Sequence, residues 1–245
     1  MKIDIKTTKN PDVVQITCTD ERWYQHKATG EIVPSSTWIA GCYPKGIGFY
    51  KWLAEHGWDE AESIKNEAGE KGSKVHLCIE RLLAGDSIRH DEMLENLQTK
   101  VLEEISVSEY EAVVSFRDWF AETHPGTIST ESVLFNFEHG YAGTMDYKCT
   151  INGEVWLIDF KTSQYIWPSH ELQLSSYKHS PENADVEKMA ILQIGYQRNK
   201  KKYKFTEVED KFELFLAAKM IWKNENENVH PKQYEFPQSI TLKKE

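Results

Sequence analysis

The spacing of apolar and polar residues divides the chain into a helical part and a strand-rich part. Between residues 36 and 125, apolar side chains recur every three to four positions, which predicts two or three helices and then another over 106–123. From Thr130 the period becomes two. We therefore expect three strands, in "TESVLFNFE", "YAGTMDYKCTI" and "EVWLIDFKT".

Turn-forming residues set the limits of the other elements. "VVQITCTDERWYQH", the turn "KATGE" and "IVPS" predict a β-hairpin within residues 1–35. In the helical part, glycines predict a break near Gly69–Gly72 and a stop at Gly85. After the three strands we expect a helix ("PSHELQLSSYKH"), two strands ("KMAILQIGYQ", "KKYKFTEV") and a closing helix ("EDKFELFLAAKMIWKNEN").

No repeat or linker divides these elements, so they predict one α+β domain over residues 1–245. Its expected parts are the N-terminal hairpin (1–35), the helical part (36–125), a core sheet with one helix (126–205), and the C-terminal helix and tail (206–245). We expect a central mixed sheet whose antiparallel hairpin carries the active site, with helices at its flanks.

Composition narrows the class of protein. The 40% of hydrophobic residues, the eight tryptophans and the ten phenylalanines are typical of a folded chain. We expect no membrane span and, because "MKIDIKTTKN" has no apolar signal region, a cytoplasmic protein. Four scattered cysteines without a CxxC pair favour neither disulfides nor a zinc knuckle. A net charge of −10 argues against DNA binding, unless some acids bind cations.

The pair Asn152–Gly153 predicts a tight hairpin between two of the strands, because both turn positions require a positive φ. With a two-residue loop, Asp146 is expected opposite Asp159, and Thr144 opposite Lys161. Two sets of side chains then follow from alternation. The polar face is expected to hold Thr144, Asp146, Lys148, Asp159 and Lys161, and the core face Met145, Tyr147, Cys149, Ile151, Trp156, Ile158 and Phe160.

The two opposed aspartates have two interpretations. Like charges directly across a ladder are destabilising, and a divalent cation between Asp146 and Asp159 would remove the repulsion. Alternatively, a bulge shifts the register and both acids lie in solvent. Two helical pairs add candidate groups: His76 with Glu80, and Gln173 with Tyr177, each one turn apart.

Taken in order, "KVH", "AGTMD", "LIDFKT" and "QLSSY" resemble the motifs of the RecB-like branch of the PD-(D/E)XK nuclease superfamily, especially its single-strand exonucleases. The resemblance covers about residues 34–196. It implies a restriction-endonuclease-like core and a Mg²⁺- or Mn²⁺-dependent DNA exonuclease. "MD" replaces the literal "PD", and no cysteine follows Cys149, so an iron–sulfur cluster is not expected. "GCYPKGIG" is not a P-loop, so ATP is not expected either.

The resemblance assigns a role to each matching residue. It implies metal ligands from the side chains of His76, Asp146 and Asp159 and from the Phe160 carbonyl. It implies that Lys161 orients the attacking water and stabilises charge on the phosphate.

Weaker assignments concern the residues around this centre. The resemblance implies that Gln173 positions Lys161 and that Tyr177 contacts the DNA strand. Glu131 matches an acid that often precedes the core hairpin. If His139–Gly140 is a two-residue loop, however, Glu131 faces Lys148, and a cross-strand ion pair explains it as well. "PSSTWI" resembles a Ser/Thr motif in which Ser36 or Thr37 contacts phosphate, although helix N-capping is an equal explanation.

The DNA path is predicted from basic and aromatic residues. "QRNKKKYK", with Lys201 and Lys202, either follows a phosphate backbone or is a solvated hairpin tip. Four tryptophans are candidates for stacking unpaired bases, although most tryptophans belong to cores. These are Trp38, Trp52, Trp58 and Trp167.

The sequence therefore predicts an exonuclease acting on single-stranded DNA or DNA ends. The alternatives are a structure-specific endonuclease on the same core and a DNA-binding recombination factor without catalysis. By analogy we expect a role in recombination, repair or replication in a bacterial or phage-infected cell, with a single-strand-binding or recombination protein as a further partner.

Overall fold

A five-stranded mixed sheet forms the centre of the molecule. The computed structural model describes residues 4–18, 21–96, 99–231 and 241–242. Its strands are β1 (Asp4–Thr7), β2 (Val13–Thr17), β3 (Arg22–His26), β4 (Ile32–Pro34), β5 (Met93–Glu95), β6 (Leu102–Glu104), β7 (Gly126–Asn136), β8 (Tyr141–Ile151), β9 (Glu154–Lys161), β10 (Lys188–Ile194) and β11 (Tyr203–Glu207). Its helices are α1 (Ser36–Gly41), α2 (Ile47–His56), α3 (Trp58–Leu83), α4 (Val107–Thr123), α5 (Pro168–Lys178) and α6 (Phe212–Glu225).

The central sheet has the strand order β11-β10-β9-β8-β7, in which β9 and β10 are parallel and the other pairs antiparallel. Helix α5 connects the two parallel strands. Alternate residues point to opposite faces: Leu192 packs in the same apolar cluster as residues of α3 and α4, and Ile191 packs with residues of α5. The expected α+β fold with helices beside a mixed sheet is confirmed.

The β8–β9 hairpin has the expected turn. Asn152 and Gly153 have φ values of 53° and 87°, and Ile151 pairs with Glu154. The register continues as predicted as far as Tyr147 opposite Ile158. The β7–β8 connection differs: Asn136 pairs with Tyr141, so the loop has four residues rather than two.

The predicted core face of this hairpin is wrong at Met145. This side chain packs with residues of α5, whereas Tyr147 packs on the other side of the sheet. The period of two is therefore interrupted at Asp146, which lies between them.

The N-terminal part is a four-stranded antiparallel sheet rather than a single hairpin. The predicted turn connects β3 and β4, but the first arm is divided into β2 and β3, and β1 precedes them. Thr19 and Asp20, in the predicted arm, lie outside the described residues. Val13, Tyr24 and Val33 pack against Phe135 and Ala142 of the central sheet.

Helix α3 is continuous from Trp58 to Leu83, so the break expected near Gly69–Gly72 is wrong. Each glycine weakens a helix by only about 1 kcal/mol, which the other residues of a long helix outweigh. The expected stop is confirmed, because Gly85 has a φ of 94° just after the helix end. Helix α4 begins at its expected place, with a capping box between Ser106 and Glu109.

The C-terminal elements follow the prediction: β10 and β11 are adjacent, and α6 follows them. Much of the predicted tail lies outside the described residues. The division into one domain stays a prediction. No helix among the described residues has the length and apolar character needed to cross a bilayer.

Candidate active site

Four elements meet where β8 and β9 separate. β8 supplies Asp146 and β9 supplies Asp159, Phe160 and Lys161. α3 supplies His76 from its apolar side, where Val75 and Ile79 are buried. β7 supplies Glu131.

The Asp146 carboxylate ends the β8–β9 ladder. Its Oδ2 accepts a hydrogen bond from the Phe160 backbone amide at 2.7 Å. The last paired residues are Tyr147 and Ile158, so the predicted direct pairing of Asp146 with Asp159 does not form. The Asp146 carboxylate thus accepts a hydrogen bond from the Phe160 amide in place of the next backbone hydrogen bond of the ladder, and β8 and β9 are no longer paired beyond this point.

His76 bridges the two strands from α3. Its Nε2 lies 3.1 Å from the Phe160 carbonyl oxygen, and its Nδ1 lies 3.5 Å from Asp146 Oδ1. Burial lowers the pKa of His76, but the nearby carboxylates raise it to about 10. Burial raises the pKa of the Asp146 carboxyl. The His76 imidazole, Lys161 and the Phe160 amide outweigh this effect, so the pKa is lowered.

Glu131 completes the group from β7. Its Oε1 lies 3.9 Å from His76 Nδ1, and its backbone φ is +48°. A left-handed conformation in a strand is unfavourable for glutamate, and such strain often marks a functional position. Burial, the largest influence, raises the pKa of this carboxyl.

The predicted ion pair of Glu131 with Lys148 is absent. The four-residue loop shifts β7, so Lys148 pairs with Ser129 in the ladder. The Lys148 ammonium instead contacts Asp185 at 2.5 Å, on the other side of the sheet.

His76, Glu131 and Asp146 can hold a metal ion. One ligand atom from each lies within 4.8 Å of the others. Two carboxylates and an imidazole fit a hard or borderline divalent cation such as Mg²⁺ or Mn²⁺, and the Phe160 carbonyl is a further oxygen beside His76. The set differs from the predicted one, because Glu131 rather than Asp159 belongs to the group of three.

Asp159 and Lys161 form the second half of the site. Lys161 Nζ lies 2.6 Å from Asp159 Oδ2, yet neither buried carboxylate oxygen of Asp159 has a hydrogen bond of good geometry from the described residues. Burial raises the pKa of Asp159 to about 6 despite this lysine. Burial also works against the Lys161 charge, but the two aspartates outweigh it and raise its pKa.

Gln173 and Tyr177 contact each other one turn apart on α5. Gln173 Nε2 donates to Tyr177 Oη at 2.9 Å. Tyr177 is only 2% exposed and packs against Gly143, where an added Cβ would lie 2.4 Å from its ring. The predicted contact of Tyr177 with a DNA strand is not available to so buried a ring.

Ser36 also lies inside the molecule. It is fully buried and its hydroxyl donates to the Ala142 carbonyl at 3.2 Å, so it does not face a phosphate. The α1 N-cap is Ser35, which accepts from the Trp38 amide.

The two predicted DNA-binding lysines already have acidic partners. Lys201 contacts Glu122, and Lys202 lies 3.8 Å from Glu111. Both acids belong to α4. Two of the five basic residues of the run are therefore paired with acids of that helix.

His170 lies near enough to Lys161 to be influenced by its charge, and the sequence analysis did not identify it. Burial, Lys161 and Lys45 lower its pKa to about 3, in that order of influence. Its position three residues before Gln173 on α5 was the available signal, because such residues share a helix face. Lys45, in the loop before α2, was not singled out either.

No family model and no curated protein matches this chain. Among solved structures, one match is the alkaline exonuclease (LHK-Exo) from Laribacter hongkongensis, with 12% sequence identity and a TM-score of 0.38. The match covers 82% of this chain and 93% of that one.

Proposed function

We propose that the chain is a Mg²⁺- or Mn²⁺-dependent DNA exonuclease that hydrolyses phosphodiester bonds on single strands or at DNA ends. The observation that carries this proposal is the convergence of His76, Glu131 and Asp146 beside the Asp159–Lys161 pair. A protein gains no stability by burying several carboxylates together, so a charged ligand is the simplest reason for the cluster.

The residues divide into those that hold the cation and those that act on the substrate. His76, Glu131 and Asp146 hold the cation, with the Phe160 carbonyl as a further ligand. When bound, the cation supplies a water of lowered pKa and positive charge near the phosphate.

Lys161 acts on the reacting groups. Its ammonium is held by Asp159 at 2.6 Å and stays charged, because the two aspartates raise its pKa. It donates to the attacking water and to a phosphate oxygen, where negative charge increases in the transition state. Asp159 keeps this ammonium in place, and it is a ligand of a second cation if two bind.

Gln173 has a supporting role. Its hydrogen bond to Tyr177 fixes the face of α5 that lies beside the site. No nucleotide cofactor takes part in these steps. Recombination or repair of DNA, with a single-strand-binding or recombination protein as partner, is the setting that we propose for the activity.

The test is a cleavage assay with end-labelled DNA, single- and double-stranded, linear and circular, in Mg²⁺, Mn²⁺ or EDTA. We expect metal-dependent loss of linear DNA. Replacing Lys161 by Ala should lower the rate by about 10²-fold or more, because a donor to the transition state is lost. Lys65→Ala is the matched control, since Lys65 is exposed on α3 and, in the part of the chain that the structure describes, its ion pair is with Glu62 alone.

The outcomes separate the alternatives. Cutting of circular DNA would replace the exonuclease with an endonuclease on the same core. DNA binding without cleavage in any metal would indicate a binding factor. Equal cleavage rates for Lys161→Ala and the unchanged protein would contradict the catalytic role proposed for this site.

A further inference from the structure

Two aromatic rings lie exposed in the loop that follows the candidate catalytic lysine. This loop, residues 162–167, connects β9 to α5. Tyr165 is 56% exposed and Trp167 is 52% exposed. Their ring centroids are 6.0 Å apart and their planes are inclined by 38°. Large aromatic rings are mostly buried in folded proteins, so an exposed pair beside a reaction centre is a candidate binding surface.

Hydrogen bonds hold this loop against the start of the β10–β11 connection. The Gln164 side chain donates to the Gly195 carbonyl at 3.0 Å and accepts from the backbone amide of Gln197 at 2.8 Å. Gln193, on β10, donates to the Ser163 carbonyl at 2.9 Å. The rings are thus carried by a backbone that is already ordered, which reduces the entropy lost when a ligand binds.

Arg198 adds a positive charge to the same surface. Its guanidinium carbon lies 4.2 Å from the centroid of the Tyr165 ring. The side chain is exposed, and among the described residues it has neither an ion pair nor a hydrogen bond. Lys201 and Lys202, a few positions later, are paired with acids of α4. Arg198 therefore brings to the rings a positive charge that no acid among the described residues neutralises.

A second positive charge lies on the α5 side of the loop. Lys45 is exposed and lies close to His170. The pKa of that imidazole is lowered mainly by burial, then by Lys161, and to a smaller extent by Lys45. His170 lies in the first turn of α5, directly after the loop. In a chain of net charge −10, the exposed Arg198 and Lys45 bring positive charge to this loop, which suits the binding of a polyanion.

We propose that Tyr165 and Trp167 are a stacking platform for the unpaired bases next to the phosphate that is cut, and that Arg198 binds the phosphate of a stacked nucleotide. The proposal rests on the function proposed above and specifies its substrate as single-stranded DNA. Bases in a duplex are already stacked on their neighbours, whereas unpaired bases offer their faces to aromatic side chains. Because every base has such a face, we expect little sequence preference.

The experiment measures binding without cleavage. Lys161→Ala protein is titrated in Ca²⁺ into fluorescein-labelled oligothymidylate, and affinity is followed by fluorescence anisotropy. A single abasic site is moved along the strand. We expect one or two adjacent positions at which the abasic site weakens binding roughly tenfold, the effect of losing one stacked base.

Variants then test whether these rings cause the effect. Adding Trp167→Ala should weaken binding of the intact strand by a similar factor and abolish sensitivity to the abasic position. Trp167→Phe should keep most of the affinity. Arg198→Gln should weaken binding and reduce its salt dependence. Phe137→Ala is the matched control: this ring is 48% exposed in the loop between β7 and β8, and its loss should change affinity less than about twofold.

Three results would overturn the platform. These are no sensitivity to any abasic position, an unchanged sensitivity in Trp167→Ala, and equally tight binding of a blunt duplex of the same length. If the protein with Lys161 still cuts DNA in those cases, the proposed function stands and only the platform fails. If it neither binds nor cuts DNA, both proposals fail.

Discussion

The Phe160 amide donates to the Asp146 carboxylate at 2.7 Å, at the point where the β8–β9 ladder ends. The other oxygen of the same carboxylate lies 3.5 Å from His76. One side chain therefore closes the hairpin and contributes to the candidate metal centre. These two roles make different demands on its chemistry and can be separated by substitution.

Asp146→Asn and Asp146→Ala are expected to differ in stability but not in activity. Both lose the anionic ligand, so metal-dependent cleavage should be abolished in both. The Asn side chain keeps an oxygen that accepts from Phe160, whereas Ala leaves this amide unpaired at a cost of about 1–3 kcal/mol. Urea denaturation in EDTA measures the difference. Equal unfolding free energies for the two variants would show that the Phe160 hydrogen bond contributes nothing.

Gly143 is expected to tolerate no side chain. An added Cβ would lie 2.4 Å from the Tyr177 ring, which is buried and cannot move aside. We expect Gly143→Ala to lower the free energy of unfolding by about 1–3 kcal/mol, the typical effect of overpacking. Thermal and urea denaturation measure it.

Gly69→Ala is the matched control. Gly69 lies within α3, and nothing is found within 4 Å of an added Cβ. Alanine is the better helix former, so this variant should gain up to about 1 kcal/mol. A loss of stability at Gly69, or none at Gly143, would contradict the packing described here.

Metal affinity is expected to rise with pH. Burial lowers the pKa of His76, but Asp146 and Glu131 raise it to about 10, so the metal-free imidazole is protonated near neutral pH. A cation must displace this proton, and affinity should increase by up to about tenfold per pH unit below that pKa. Calorimetric titration with Mn²⁺ in buffers of different ionisation enthalpy measures the affinity and the protons released. Release of no proton near pH 8 would contradict this protonation state.

The same proton links stability to pH in the metal-free protein. The folded pKa of His76 lies above its ordinary value of 6.5. The stability that it contributes is therefore complete below about pH 6.5 and is lost as pH rises to about 10. Asp159, whose pKa burial raises to about 6, titrates below this window. In EDTA, His76→Gln should show a flatter dependence of unfolding free energy on pH between these limits, and an unchanged dependence would assign the effect to another group.

Lys201 and Lys202 are expected to contribute little to cleavage. Glu122 and Glu111 already neutralise them, so replacing both by Ala should change kcat/KM on single-stranded DNA less than about threefold. Initial rates at low and moderate salt provide the measurement. A loss of tenfold or more would restore the prediction that this basic run follows the phosphate backbone.

The sequence by itself determined the elements whose causes are local. The Asn152–Gly153 turn requires positive φ at both positions, and it set the β8–β9 register as far as Tyr147. The helix over 106–123 followed from its capping residues and apolar spacing. The motif residues His76, Asp146 and Lys161 also follow from the sequence alone, although their roles stay predictions.

Only the tertiary structure decided which groups face one another. The carboxylate of Glu131 lies near His76 because a four-residue loop shifts β7 and because the left-handed backbone of Glu131 changes the direction of its own side chain. Ser36 and Tyr177 are removed from solvent by segments distant in sequence. Burial and charge pairing depend on these long-range neighbours, which residue spacing along the chain does not contain. For the same reason, the exposure of Tyr165 and its contact with Arg198 appear only when α5 and the β10–β11 connection are in place.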